Sequence, residues 1–143
     1  MNIELVALNS LSYKLALKLR NEILRKPLGL DIANEDLSDE VNQVHFVALK
    51  ENVVVGTVSL IPQYTNGVGK LRQMATAEEV RGEGYGIALV QELEKYSKDL
   101  GLKLIVLHAR HYALGFYEKL NYQITSDVFQ EVGMDHFVMG KEL

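Results

Sequence analysis

The run Arg81-Gly82-Glu83-Gly84-Tyr85-Gly86 places three glycines in five positions immediately ahead of a segment with helical periodicity. Glycine lets a backbone come close to a ligand, and the first N–H groups of a helix have no partners within it, so such a turn can gather several donors around an anion. A diphosphate suits that geometry. The competing reading is a flexible turn that binds nothing. Two familiar phosphate patterns are absent: no G-x-x-x-x-G-K-S/T occurs, and Gly82-x-Gly84-x-x-Ile87 lacks the third glycine of the dinucleotide fingerprint.

Other chemistry is narrowed by what the chain lacks. Without cysteine there is no disulfide, thiolate metal site or thiol nucleophile. The histidines form no metal pattern: His108 and His111 stand three apart at a strand end, H-E-x-x-H is missing, and His45 reads as core or sheet face. A formal net charge of −4 argues against polyanion binding through clustered Lys and Arg, so nucleic acid is not expected as a partner. No apolar run approaches the ~20 residues that span a bilayer, and residues 1–8 carry Glu4 and no basic leader, so the expected address is cytoplasmic, away from membranes. With 143 residues, 48% of them hydrophobic, one domain over residues 1–143 with its own core is expected.

The elements that hold the glycine turn follow from periodicity. Residues 3–8 read as a strand, and Asn9, Ser10 and Ser12 offer caps for a helix in which Leu15, Ala16, Leu19 and Ile23 share a face, ending near Arg25. Pro27 disfavours helix at Lys26, and residues 28–42, with Gly29 and several acids, read as a loop with room for one helical turn. Runs rich in β-branched residues at 44–49, 53–61 and Val68–Thr76, joined by Lys50-Glu51-Asn52 and Thr65-Asn66-Gly67, make an antiparallel meander. Leu89, Leu93, Tyr96 and Leu100 then recur at helical spacing up to Gly101. The apolar run 104–107 suits a central strand parallel to Val68–Thr76, making one right-handed βαβ unit whose ligands sit at the carboxyl ends of its strands. A helix over 111–120 capped by Asn121, and strands over 124–129 and 136–141, complete an α/β fold with a mixed central sheet of six to seven strands flanked by helices.

Arg81-x-x-Gly84-x-Gly86 is similar to the Q/R-x-x-G-x-G/A signature of the GNAT superfamily of N-acetyltransferases. Downstream, Leu107-His108-Ala109, followed by Ala113-Leu114-Gly115-Phe116-Tyr117-Glu118-Lys119-Leu120-Asn121-Tyr122, resembles that family's A…FYEKxGF segment, and the two motifs fall in family order. Leu71-Arg72-Gln73-Met74-Ala75 and Phe129-x-Glu131-x-Gly133-Met134-x-His136 resemble the ElaA-like subgroup, so the likeness spans residues 71–139. Arg110 stands where the family often has Asn or Gln, and Asn121 replaces the glycine of LGF, a change tolerated because Asn adopts the left-handed conformation.

The resemblance implies a GNAT-like fold, an antiparallel meander plus a parallel βαβ core with splayed strands, and acetyl-CoA as co-substrate with no metal. It implies that the pantetheine arm lies in the splay against backbone groups of Met74, Ala75 and Thr76, unless those strands pair to their ends. Main-chain amides of Arg81, Gly82, Glu83, Gly84, Tyr85 and Gly86 would hold the diphosphate, and Arg110, Ala113 and Phe116 would lie along the same ligand. The implied reaction is acetyl transfer to an amine by direct attack in a ternary complex, without an acyl-enzyme. Tyr117 corresponds to the general acid that protonates the leaving thiolate, a phenol of ordinary pKa ~10, and a core aromatic is its alternative. Glu131 and His136 are the acid/base-competent residues expected at the acceptor cleft, with Glu131 preferred; a solvated carboxylate and a satisfied strand histidine are their alternatives, and His108 reads as structural. The acceptor, a small amine or a peptide, would be selected by residues 26–42, whose Asp31, Glu35, Asp36, Asp39 and Glu40 either attract a cation or simply face solvent. Homodimer formation and a non-catalytic acyl-CoA-binding module both stay open.

Overall fold

In the computed structural model, which describes Met1–Leu143, eight strands form one mixed sheet in the order β1-β2-β3-β4-β5-β8-β6, with β7 also paired to β8. β1 (Asn2–Val6), β2 (Val44–Lys50), β3 (Val53–Thr65) and β4 (Val68–Thr76) are antiparallel neighbours, as the meander requires. β5 (Leu104–Arg110) runs parallel to β4 and antiparallel to β8 (Met134–Glu142), against which β6 (Gln123–Ile124) and β7 (Phe129–Glu131) lie. Eight strands replace the expected six to seven because the run 124–129 is broken. Thr125 donates its amide to the Val138 carbonyl at 2.9 Å and Ser126 Oγ accepts from the Val138 amide at 2.9 Å, so hydroxyl residues interrupt the strand.

α1 (Leu11–Arg20) starts where Ser10 Oγ accepts from the Tyr13 amide at 3.1 Å, and it lays Ala16 and Leu19 on β3 and β4. The chain stays coiled beyond it, through a π-helical turn Asn21–Arg25 and a 3-10 turn Lys26–Leu28. Lys26 is itself helical (φ −52°, ψ −42°), against the expectation from Pro27. Pro27 falls in the first positions of a new short turn, where its missing N–H would have had no partner. Two further 3-10 turns, Ile32–Asn34 and Ser38–Asn42, occupy the loop that follows.

α2 (Tyr85–Asp99) crosses from β4 to β5 on the other face and buries Leu89, Val90 and Leu93 against Phe46, Val58, Leu60, Leu71, Ile105, Leu107 and Met139. α3 (Leu114–Lys119) seals the end of this core with Tyr117 and is shorter than the sequence suggested, because His111–Ala113 forms a 3-10 turn ahead of it. Asn121 (φ 71°) stops it: the Asn121 amide reaches the Glu118 carbonyl at 3.0 Å and the Tyr122 amide reaches Tyr117 at 3.1 Å, the paired bonds of a Schellman ending.

β4 parts from its neighbour before it ends. Its pairing with β5 covers only Val68–Leu104, Gly69–Ile105 and Lys70–Val106, although β5 continues to Arg110 against β8. On its other side the register jumps from Ser59–Arg72 to Thr57–Ala75, a bulge in which Gln73 takes φ 57°. One extra residue exchanges the faces beyond it: Leu71 lies in the core under α2, whereas Ala75 packs with Leu19 and Leu24 beneath α1. Beyond Lys70, β4 and β5 therefore form a fork.

Candidate active site

From the end of β4 the chain reaches α2 through the short turn Glu78–Val80 and the glycine run. Gly82 (φ 84°) and Gly84 (φ 92°) are both left-handed, which a side chain would oppose by roughly 1–2 kcal/mol. Two amides of the run turn inward: Arg81 donates to the Glu78 carbonyl at 3.3 Å and Glu83 to Val80 at 3.1 Å. The amides of Gly82, Gly84, Tyr85 and Gly86 have no protein acceptor, no side chain caps α2, and its first backbone bond is Ala88 to Gly84 at 3.1 Å. Four of the six amides from Arg81 to Gly86 are thus free for a ligand, at the positive end of a helix dipole.

Charge at the turn is managed by Lys50 on β2, which sequence reading passed over. Its Nζ lies 2.7 Å from Glu83 Oε1, so the carboxylate that would repel an anion is already paired; that hydrogen bond and the Glu83 charge raise the Lys50 pKa. The Arg81 side chain is exposed, and the Tyr85 ring is buried in the core. Gly86 marks a close approach: a Cβ there would stand 3.2 Å from the Phe116 ring and 3.8 Å from Thr76 Cγ2, so the start of α2, the end of β4 and α3 converge. Met74 and Ala113 pack on the rim of the same core.

Tyr117 is 6% exposed, with its ring edge-on to Phe116 at 5.0 Å and to Tyr122 at 5.8 Å. Its hydroxyl makes no hydrogen bond to the protein. Burial first, and the neighbouring Tyr112 second, push its pKa well above the ordinary phenol range, so the proton stays on oxygen at neutral pH. A phenol O–H held ready in this way is able to donate.

The opposite face carries the remaining proton-transfer groups. Ile105, Leu107 and Ala109 of β5 are core residues, so alternation sends His108 and Arg110 to the other side, where Arg110 faces His136 on β8 and His136 faces Phe129 on β7. Glu131 lies between two imidazoles, with Oε1 3.2 Å from His108 Nδ1 and Oε2 3.5 Å from His136 Nε2. His136 is buried and its Nδ1 is 3.0 Å from the Met134 carbonyl. Val132, in the two-residue turn after Glu131, is held at φ 47°, a conformation that β-branched residues resist. His108, read from sequence as structural, is thus in contact with Glu131. The signal was its alternation with Leu107 and Ala109, hidden by treating 104–107 as one continuous apolar run.

Arg110 spans the cleft: Nη2 donates to the Leu24 carbonyl at 3.0 Å and Nη1 to the Tyr112 hydroxyl at 3.1 Å, tying β5 to the π-helical turn that follows α1. The five loop acids all have internal partners. Asp31 and Asp36 accept from the Ala33 and Ser38 amides at 3.0 and 2.9 Å, and Asp39 accepts from Asn42 at 3.0 Å. Glu35 pairs with Arg25, which also donates to Gln73 of the bulge at 3.0 Å. Glu40 is buried against Arg20 at 2.7 Å and Tyr13 at 2.8 Å; desolvation alone would raise its pKa, but these two partners outweigh it and hold the carboxyl below the usual range.

Fork, uncapped helix start and flanking proton-transfer groups define an α/β protein whose cleft suits an extended, anion-bearing ligand. The profile of the acetyltransferase (GNAT) family matches residues 14–122, and the chain belongs to that family. It is therefore an acetyltransferase, and membership implies acetyl-CoA as the acetyl donor. YyaT, an uncharacterized protein of Bacillus subtilis, is 34% identical over 131 residues, covering 90% of this chain and 87% of its own length. YjcF, an uncharacterized N-acetyltransferase of the same organism, is 28% identical over 139 residues, covering 96% and 97%. The crystal structure of Escherichia coli ElaA matches with a TM-score of 0.85 at 18% identity over 99% of both chains. An aminoglycoside 6'-N-acetyltransferase solved with coenzyme A matches with a TM-score of 0.78 at 22% identity over 99% and 97%. At those identities the two structures show a shared fold. No helix is long and apolar enough to cross a membrane.

Proposed function

We propose that the chain, acting as one domain, binds acetyl-CoA in the fork and transfers its acetyl group to the nitrogen of an amine by direct attack in a ternary complex. The observation that carries this reading is the early end of β4–β5 pairing at Lys70–Val106. Beyond it, the peptide groups of β4 that face β5 have no strand partner, and an extended arm carrying amides of its own would complete them. Met74 and Thr76 supply those groups, while Ala75 between them pairs with Thr57 of β3. The free amides of Gly82, Gly84, Tyr85 and Gly86 hold the diphosphate, with the Arg81 side chain at the rim, while Ala113 and Phe116 wall the passage beside Gly86. That an aminoglycoside acetyltransferase of the same fold was solved with coenzyme A supports the choice of ligand.

The two faces of the fork then divide the chemistry. A neutral amine attacks the thioester carbon, the C–S bond breaks, and the thiolate takes the proton of Tyr117. An amine that arrives as an ammonium must first lose a proton, and the groups able to take it gather around Glu131, with His136 behind, on the face opposite Tyr117. Arg110 fixes the wall between them. Titration calorimetry with acetyl-CoA, followed by thiol release across small amines, polyamines, aminoglycosides and peptides with free N-termini or lysines, tests the proposal. Binding with thiol release matched by acetylated amine is expected. Absence of heat with acetyl-CoA refutes the site, and binding without turnover on any amine points to a non-catalytic acyl-CoA binder.

A further inference from the structure

We infer that His108 Nε2 is the atom that takes the proton of the acceptor amine, and that Glu131 is the positioning residue that aims it; the inference rests on the amine-acetylating reading above. The proton positions follow from the partners. A backbone carbonyl only accepts, so His136 carries a hydrogen on the Nδ1 that faces Met134 O at 3.0 Å. A carboxylate oxygen likewise only accepts, so the 3.2 Å contact with Glu131 Oε1 places the hydrogen of His108 on Nδ1. A neutral His108 then has its lone pair on Nε2, which has no protein partner, whereas Glu131 Oε1 already accepts from His108, and Oε2, 3.5 Å from His136 Nε2, is paired with that ring only when His136 is protonated. The carboxylate thus selects one tautomer, holds the ring, and stabilises the imidazolium once it forms.

Placement agrees with this role. His108 stands two residues past Val106, the last β5 residue paired with β4, so it lies on the forked part of the strand. Its side chain is 26% exposed and its ring is edge-on to Phe129 at 5.1 Å, which leaves it accessible but steadied. The charged and titratable groups around it are Lys70 at the mouth of the fork on β4, Arg110 on β5, Glu131 on β7 and His136 on β8. Tyr117 stands on the far face with the core. Proton and electron pairs balance: the ammonium N–H bond breaks and its proton goes to Nε2, and the freed amine forms the C–N bond as C–S breaks. The thiolate takes the Tyr117 proton, the acylated nitrogen gives its surplus proton to the resulting phenolate, and the imidazolium releases its proton to water.

Two measurements test the assignment. Imidazole 15N shifts of the intact chain should show His108 as the Nδ1–H tautomer. In steady-state assays His108→Gln should lower kcat by roughly 10²–10⁴-fold with KM for acetyl-CoA unchanged, the deficit shrinking as pH rises and the free amine predominates. Glu131→Ala should lower kcat less and let His108 populate both neutral tautomers in the 15N spectrum, since its Nδ1–H loses the acceptor that fixes it. Turnover by the wild-type chain together with an Nε2–H tautomer, full kcat in His108→Gln, or an unchanged tautomer in Glu131→Ala would overturn this inference alone. Absence of turnover by the wild type on every amine would overturn the underlying reading and this inference with it.

Discussion

Replacing Tyr117 by Phe isolates one atom. The hydroxyl has no protein partner, and the ring contacts with Phe116 and Tyr122 survive the change, so folding stability should stay within about 0.5 kcal/mol of wild type. Acetyl-CoA affinity should be unchanged as well, since the free amides of the glycine turn are untouched. What disappears is the proton for the leaving thiolate. General acid catalysis contributes ~10²–10⁴-fold, and a thiol of ordinary pKa ~8.5 leaves tolerably well as the anion, which places the loss near the lower end: about 10²-fold in kcat, or roughly 2.7 kcal/mol. The pH dependence is equally specific. Burial holds the phenol proton well above its ordinary range, so the acid does not titrate away between pH 7 and 10, and the ratio of wild-type to variant kcat should be flat across that window. Thiol release at saturating acetyl-CoA and amine measures the ratio, and calorimetry measures the affinity. A variant with kcat within twofold of wild type, or a ratio that falls to one by pH 10, would refute the assignment of Tyr117 as the acid.

Two further outcomes concern the frame. Burial, and after it the hydrogen bond and charge of Glu40, push the Tyr13 pKa up to about 12, whereas an unfolded tyrosine titrates near ~10. A raised folded-state pKa means that this contribution to stability is whole below pH 10 and is lost as pH climbs through 12; denaturant unfolding should show stability falling over that range, less steeply in Tyr13→Phe, and equal slopes would count against it. Glu40→Ala strands the guanidinium of Arg20, itself 1% exposed, and should cost about 3–5 kcal/mol in thermal unfolding, with a loss under about 1 kcal/mol showing that the pair is dispensable.

Most of the sheet was legible because alternation and turn chemistry coincide: Thr65-Asn66-Gly67 closes the β3–β4 hairpin, and Asn121 ends α3 as its backbone tolerance suggested. The glycine turn was legible for the same reason, since Gly82 and Gly84 both need left-handed backbone. Three things were hidden. The bulge at Gln73 leaves no mark in composition, because Gln has no special claim on φ 57° and is held there by contacts remote in sequence, among them Arg25. The inward turn of the Arg81 and Glu83 amides depends on carbonyls of the preceding turn, which no motif encodes. The acids of residues 31–40 read either as a cation-attracting surface or as a solvated face, yet Asp31, Asp36 and Asp39 bond within the loop while Glu35 and Glu40 tie it back to Arg25 and to Arg20 and Tyr13, so their charge holds the loop in place.

At Gln73 the end of β4 is handed from one helix to the other, so that Met74 rests on the core beneath α2 while Ala75 is gripped by Leu19 and Leu24 under α1. The strand end is pinched from both sides like a key in a lock. A larger side chain at Ala75 would press on Leu19 and Leu24 and displace the strand end that borders the fork, so the packing on that face and the width of the fork move together.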